Sequence, residues 1–308
     1  MMNEMRIVVS EDYDDIRMDV CISSLLSDKS RTYIQKLIKE GNVLLNEKKV
    51  NASTKVHAED VIVLNIPDNK ELDIKPENIP LDILYEDKDI IIVNKGKNMV
   101  VHPAPGHYEG TLVNALLYYC KDNLSGINGV LRPGIVHRID KDTTGSLVVC
   151  KTNEAHMAMA ERLKIHDIDR KYRAIVHGVF NDKEGTIKTN VGRNPNDRLK
   201  MAINVPNGKE AITHYKVLSE NNGYSYVECK LETGRTHQIR VHMAEIGHPV
   251  IGDEVYSNGK NEFGVKGQML HAKSLDFKHP LTGEQMHLEA DLPEYFEDIL
   301  KGEEIGRG

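Results

Sequence analysis

Between Pro67 and Pro80 the chain carries three prolines, six charged side chains and little apolar periodicity. Proline interrupts both helices and sheet ladders, and a stretch this poor in apolar residues has little to bury, so it reads as an extended connector. The 308-residue chain must therefore build its cores on either side of this break. With 40% hydrophobic and 28% charged residues, two packed domains of ordinary composition are expected. Trp is absent and aromatics make up only 5%, so Ile, Leu, Val and Met must supply most core volume.

Ahead of the break, residues 12–74 read as a small αα-ββ domain. Residues 20–26 and 32–40 have helical spacing, with Ser30 as N-cap of the second helix and Gly41 as its stop. Residues 43–46 and 61–64 follow as short strands. Beyond the break, residues 81–300 hold strand candidates at 90–93, 146–149, 172–176 and 224–231. Helical candidates near 112–120, 154–164 and 236–246 are interleaved with them. Strands and helices without strict βαβ alternation predict an α+β domain on a mixed, mostly antiparallel sheet. The tail from 301 to 308 is expected to fray.

The formal net charge of −7 argues against a protein that coats nucleic acid through its overall field. Local charge differs. From residue 29 to 55, seven basic residues (Lys29, Arg31, Lys36, Lys39, Lys48, Lys49, Lys55) face two acidic ones, Glu40 and Glu47. Taken alone, such a run is either a solvated face or an anion-binding one. Cys21, Cys120, Cys150 and Cys229 lie far apart with no Cys-x-x-Cys pair, so neither a disulfide framework nor a zinc finger is expected. With no apolar segment of signal-peptide or membrane-spanning type, a cytoplasmic protein without membrane contact is the simplest expectation.

Chemistry concentrates in a few segments. His137-Arg138-Ile139-Asp140-Lys141-Asp142-Thr143-Thr144-Gly145 packs polar residues between an apolar approach and a strand, where a rigid scaffold commonly carries catalytic groups. The same residues also suit a capped turn. Two Asp-based readings compete here. Asp140, Asp142 and Thr144 fit an aspartyl phosphatase loop that uses magnesium, but the later Gly252-Asp253 lacks the second Asp that such a site needs. A calcium loop would need a carboxylate at position twelve, where Lys151 stands. The second segment, Gly234-Arg235-Thr236-His237-Gln238-Ile239-Arg240-Val241-His242, offers two guanidinium forks. His237 and His242 are five apart, not the four that stack metal ligands on one helical face. The third, Asn98 to Gly106, reads as a strand running into a proline loop. Arg170-Lys171-Tyr172-Arg173 sets an aromatic among cations, suited to base stacking or to a half-buried strand.

Together these segments resemble the RluA-type family of pseudouridine synthases over almost the whole chain, and most closely its bacterial large-subunit ribosomal RNA members. Residues 137–145 are similar to its catalytic signature and residues 234–242 to its later arginine motif. Ile139 stands where Leu is usual, Glu254 where Pro is common, and Asn98 where Gly is familiar, a position where Asn can keep a left-handed backbone. The N-terminal module resembles the S4-type RNA-binding domain through Arg17, Asp19, Ser30-Arg31, Gln35 to Ile38, Gly41, Val43 and Asn46, with Glu59-Asp60 in place of Gly-Asp.

The resemblance implies an isomerase that turns specific uridines into pseudouridine without metal or organic cofactor. The expected substrate is 23S rRNA or a ribosome assembly intermediate, with transfer RNA as the alternative, and the protein is expected to act as a monomer. Breaking the N-glycosidic bond develops positive charge on the ribose, which an ionised carboxylate can stabilise or trap, or which it can relieve by removing a ribose proton. Asp140 is assigned that role. Arg240 is assigned to keep it charged, or Arg235 with the two roles exchanged. Tyr172 is expected to stack on the uracil, Arg138 to fill the space left by the flipped nucleotide, and His137, Arg235, His237, Arg31, Lys36 and Lys39 to contact RNA. Asp142 is left a structural role.

Overall fold

The apolar residues on either side of the connector build separate cores. The computed structural model describes residues 2–26, 31–67, 74–104, 107–121, 123–129, 132–197, 199–259 and 263–302. They divide into two compact units, residues 1–73 and 74–308. Ser30 and Lys29, residues 68–73 of the connector, Pro105-Gly106 and the tail beyond residue 302 lie outside the described residues. Residues 74–80 form neither helix nor strand.

The first unit runs β1 (Met2–Val8), β2 (Ile16–Arg17), α1 (Met18–Leu25), α2 (Arg31–Lys39), β3 (Val43–Leu45), β4 (Lys48–Lys49), β5 (Lys55–Val56) and β6 (Val61–Pro67). One sheet has the order β1-β6-β3-β4 and β2 pairs with β5. Met18, Cys21, Ile22, Ile34, Leu37, Val43, Ile62 and Leu64 form its buried core. α2 ends as expected at Gly41, whose N–H bonds Ile38 O while Asn42 N–H bonds Leu37 O, closing the last turn. β1 precedes the start read from the sequence. It pairs along its whole length with β6, and its apolar signal is weak because polar Glu4 and Arg6 alternate with a half-exposed Met5.

The second unit runs β7 (Ile83–Glu86), β8 (Ile90–Lys95), α3 (Leu112–Cys120), β9 (Thr144–Cys150), α4 (Asn153–Lys164), β10 (Asp169–His177), β11 (Glu184–Arg193), β12 (Met201–Ile203), β13 (Lys209–Asn221), β14 (Tyr224–Leu231), α5 (Gln238–Glu245), β15 (Leu270–Lys278), β16 (Gln285–Glu289) and α6 (Glu294–Lys301). Among the described residues these strands form one sheet of order β12-β11-β13-β14-β10-β15-β9-β8-β7, with β16 beside β15. Each pairing is antiparallel except β9 with β15, so the sheet is mixed and mostly antiparallel.

β8 and β9 read as near-continuous apolar runs because both sheet faces are covered there. Ile91, Val93, Leu147 and Val149 join Leu112, Val113 and Leu116 of α3 on one side. Ile90, Ile92, Val148 and Cys150 join Ala155 and Met159 of α4 on the other. Gly145 is needed where β9 meets β15: its φ is +108°, and a Cβ there would lie 2.3 Å from Ala272 O. The expected strand after Asn98 is a correction. Residues 98–103 are irregular, because the carbonyls of Val100 and Val101 accept the first amides of α3, from Leu112 and Val113. Asn98 does take the left-handed backbone, at φ +61°. Among the described residues no helix is long and apolar enough to cross a membrane.

Candidate active site

Asp140 sits in the loop that enters β9, and its neighbours are pinned one by one. His137 Nε2 accepts the amide of Val148 at 3.0 Å. Lys141 O accepts the ammonium of buried Lys95 at 3.0 Å, and Thr143 Oγ1 accepts from Gln268 at 3.0 Å. Thr144 Oγ1 bonds His271 Nδ1 at 2.8 Å. Asp142 packs against Gly267, away from the cavity, in line with a structural role. A loop tied at so many points holds its carboxylate in one place.

Opposite it, α5 presents Arg240 from its first turn. Thr236 and His237 precede the helix, which begins at Gln238. Gln238 fixes this entry by accepting from Thr233 Oγ1 and Arg235 N and donating to Ile212 O and Thr213 Oγ1. Arg240 Nη1 donates to Asp140 Oδ2 at 2.9 Å. Its Nε and Nη2 donate to the two oxygens of Asp253 at 2.6 and 2.9 Å. Asp253 is fully buried and also accepts the amides of Val255 and Tyr256. Burial alone would lower the Arg240 pKa, but the hydrogen bonds and charge of Asp253, then of Asp140, outweigh it and raise the value. The guanidinium is thus a fixed cation beside Asp140.

Both groups open into a cavity of about 530 Å³, a size suited to a nucleoside-sized ligand. Tyr172, Arg138, His137, Arg235 and His237 also line it, so the sequence-derived residues of this unit converge on one space. Tyr172 is buried in β10, and desolvation raises its phenol pKa. Arg138 is exposed at the rim, 3.4 Å from His102 Nε2. Arg235 Nε is committed to Glu210 O at 2.9 Å, and its carboxylate-pairing alternative is not realised, since Arg240 makes that contact. Desolvation, then the charge of Arg170, pushes His137 down to about 3, so its ring is neutral. Its tie to β9 makes it a support of the loop as much as a wall of the cavity.

Sequence reasoning passed over Asp253, Arg170, Arg132 and Tyr256. Asp253 showed only as an isolated Gly-Asp pair. Arg170 was visible in the cationic stretch around Tyr172. It is buried, its Nη2 donates to Glu232 O at 3.2 Å, and its Nε has no hydrogen-bond partner among the described residues.

Arg31, Lys36 and Lys39 belong to the other unit. Arg31 Nε donates to the fully buried Asp19 at 3.0 Å, a carboxylate that Arg17 and Gln35 also reach. Burial opposes ionisation of Asp19, but these hydrogen bonds hold its carboxyl well below the usual range. Lys36 and Lys39 are exposed, and Lys39 borders a depression of about 310 Å³ with Gln35 and Lys49.

Among the described residues the group with metal-ligand geometry is Asp87, Asp89 and His279, which does not line the cavity. His279 Nδ1 accepts the amides of Leu281 and Thr282, so Nε2 carries the proton and faces Asp87 Oδ2 at 2.8 Å. A protonated Nε2 has no lone pair to offer a metal, although its contact with Asp87 lacks hydrogen-bond geometry.

Residues 89–245 match the family described as RNA pseudouridylate synthase, and residues 16–62 match the S4 domain. The chain is 47% identical over 300 residues to an uncharacterised RNA pseudouridine synthase of Bacillus subtilis strain 168, covering 97% of this chain and 98% of that one. A ribosomal large subunit pseudouridine synthase D of Zymomonas mobilis is 42% identical over 306 residues, 96% of each chain. Among solved structures, human RNA pseudouridylate synthase domain containing 1 has a TM-score of 0.57 and 28% identity over 70% of this chain and 85% of that chain.

Proposed function

The chain belongs to the RNA pseudouridylate synthase family, and we propose that it isomerises specific uridines of large-subunit ribosomal RNA, with Asp140 acting on the ribose of a flipped-out nucleotide. The observation that carries the site assignment is the 2.9 Å contact between Arg240 Nη1 and Asp140 Oδ2 in a cavity large enough for the extruded nucleoside. A guanidinium fixed from behind by Asp253 holds the Asp140 side chain in place while leaving it open to the sugar. As the bond between N1 and C1′ breaks, the developing positive charge on the ribose meets that carboxylate. Tyr172 forms a wall against which the free uracil can rotate without escaping. The reading of Asp140 as a magnesium-dependent phosphoryl acceptor is not favoured, because the relatives that match almost the whole chain are RNA pseudouridine synthases.

Arg138, exposed at the rim, is suited to fill the stack from which the uridine has left. Lys36 and Lys39 of the S4 domain supply phosphate contacts, while Arg31 serves the domain through Asp19. The ribosomal substrate rests on the names of relatives such as the Zymomonas mobilis protein. Mapping pseudouridines across total RNA from cells with and without the protein tests it: sites should vanish from large-subunit rRNA and return with the wild-type chain. Asp140→Asn should bind the same RNA and restore none. Sites lost from transfer RNA alone would overturn the ribosomal assignment, and no lost site in any RNA would overturn the enzymatic one.

A further inference from the structure

The ring of His237 is held more tightly than a passing RNA contact requires. Its backbone is left-handed, at φ +56°, a conformation unfavourable for a residue with a Cβ, and its side chain makes no capping bond to the helix it precedes. Nδ1 lies 3.0 Å from the hydroxyl of Tyr256, with the two rings edge to face. That hydroxyl accepts the amide of Met201 at 2.8 Å and lies 3.4 Å from Met201 O. Nε2 lies 3.9 Å from Asp140 Oδ2.

This arrangement gives both ring nitrogens a partner in the cationic state. When Tyr256 donates to Met201 O, its oxygen accepts from Nδ1–H, and the Nε2 lone pair is free. A proton taken at Nε2 then faces the Asp140 carboxylate. The charges around the ring are mixed: Asp140 and Asp253 favour the imidazolium, and Arg240 and Arg138 oppose it. Burial is the largest influence and lowers the pKa, so the ring is neutral and able to accept at neutral pH.

The reaction needs such a group. Once C5 of the rotated uracil has bonded to C1′, the C5=C6 electrons have been spent and N1=C6 is a double bond. The isomer is complete only when the C5–H bond breaks, its electron pair restores C5=C6, and N1 takes up a proton. Asp140 is engaged with the ribose and with Arg240, Arg240 cannot accept a proton, burial raises the pKa of the Tyr172 phenol, and His137 Nε2 is occupied by Val148 N–H. C5 is by then attached to the sugar carbon that Asp140 engages, and His237 Nε2 lies 3.9 Å from that carboxylate.

Resting on the function proposed above, we propose that His237 is a further catalytic residue, the base that removes the C5 proton, with Tyr256 holding its ring. The proton passes to Nε2 and on to water, and water supplies the one taken by N1, so the balance closes without another reactant.

The test uses the full-length protein in single turnovers on transcripts of the RNA that site mapping identifies, made with protium or deuterium at uridine C5. His237→Asn suits it, because Asn tolerates the left-handed backbone but accepts no proton near neutrality. The variant should keep its melting temperature and RNA binding, slow by about 10²- to 10⁴-fold, the usual contribution of a positioned acid or base, and form product more slowly from the deuterated RNA. Tyr256→Phe, which leaves that backbone untouched, should slow less and show the same isotope sensitivity. A wild-type rate, or slowing that is equal for both isotopes in both variants, overturns the inference and leaves His237 a positioning residue at most. Wild-type protein that forms no pseudouridine overturns the functional reading itself, a different result.

Discussion

Arg240 binds two carboxylates that hold it unequally. Asp253 is fully buried and takes two guanidinium hydrogens at 2.6 and 2.9 Å. The Asp140 side chain is 17% exposed and takes one, at 2.9 Å. In Asp253→Asn, one amide oxygen can still serve the backbone amides of Val255 and Tyr256, but the NH₂ must then face the Arg240 Nε–H. Breaking a buried pair in this way costs about 3–5 kcal/mol. For a unit of this size each kcal/mol lowers the melting temperature by about 2–4 °C, so the transition of residues 74–308 should fall by roughly 6–20 °C. Asp140→Asn keeps a neutral acceptor at a partly hydrated position and should cost about 1 kcal/mol, hence a few degrees. Scanning calorimetry of the two variants beside the wild type reads both values. Equal shifts, or an Asp253→Asn transition within two or three degrees of wild type, would refute the view that Asp253 anchors the cation.

Two further outcomes are expected. Replacing exposed Lys36 and Lys39 by Ala should weaken RNA binding and reduce its logarithmic salt dependence by about one for each phosphate that is no longer neutralised; filter binding at several salt concentrations checks this, and an unchanged slope counts against that face. Burial pushes His242 down to about 4 from an ordinary 6.5, so the unfolded chain binds the extra proton. Its contribution to stability is therefore full above pH 6.5 and is lost as pH falls toward 4, up to about 3 kcal/mol. Urea midpoints of wild type and His242→Gln should converge over that window, and parallel curves would contradict the assignment.

What could be read in the sequence was what burial dictates strongly. β8, β9, β14 and helices α3, α4 and α5 announce themselves because both faces of the central strands are covered and the helices carry an apolar side. Asp140 stood out as polar residues set where apolar ones were due. β11 and β13 were hidden because they are half-exposed: β11 buries only Ile187 and Val191 among Lys, Thr and Asn. Val100-Val101 looked like a strand, but two apolar residues do not fix a ladder when the start of a helix claims their carbonyls. Asp253, and the role as a base proposed for His237, were illegible for a different reason. Their roles depend on partners from other parts of the chain, the Arg240 fork and the Tyr256 hydroxyl, and no local pattern records such meetings.

The lone parallel pairing among the described residues, β9 beside β15, sets a timetable for the chain as it emerges from the ribosome. Thr144 waits for His271, 127 residues later, and Asp140 waits for Arg240, 100 residues later. Until those segments appear, the central strand keeps an open edge beside the loop that carries Asp140, a slow, long-range closure. The pocket around Asp140 therefore cannot be assembled until most of the second unit has been synthesised.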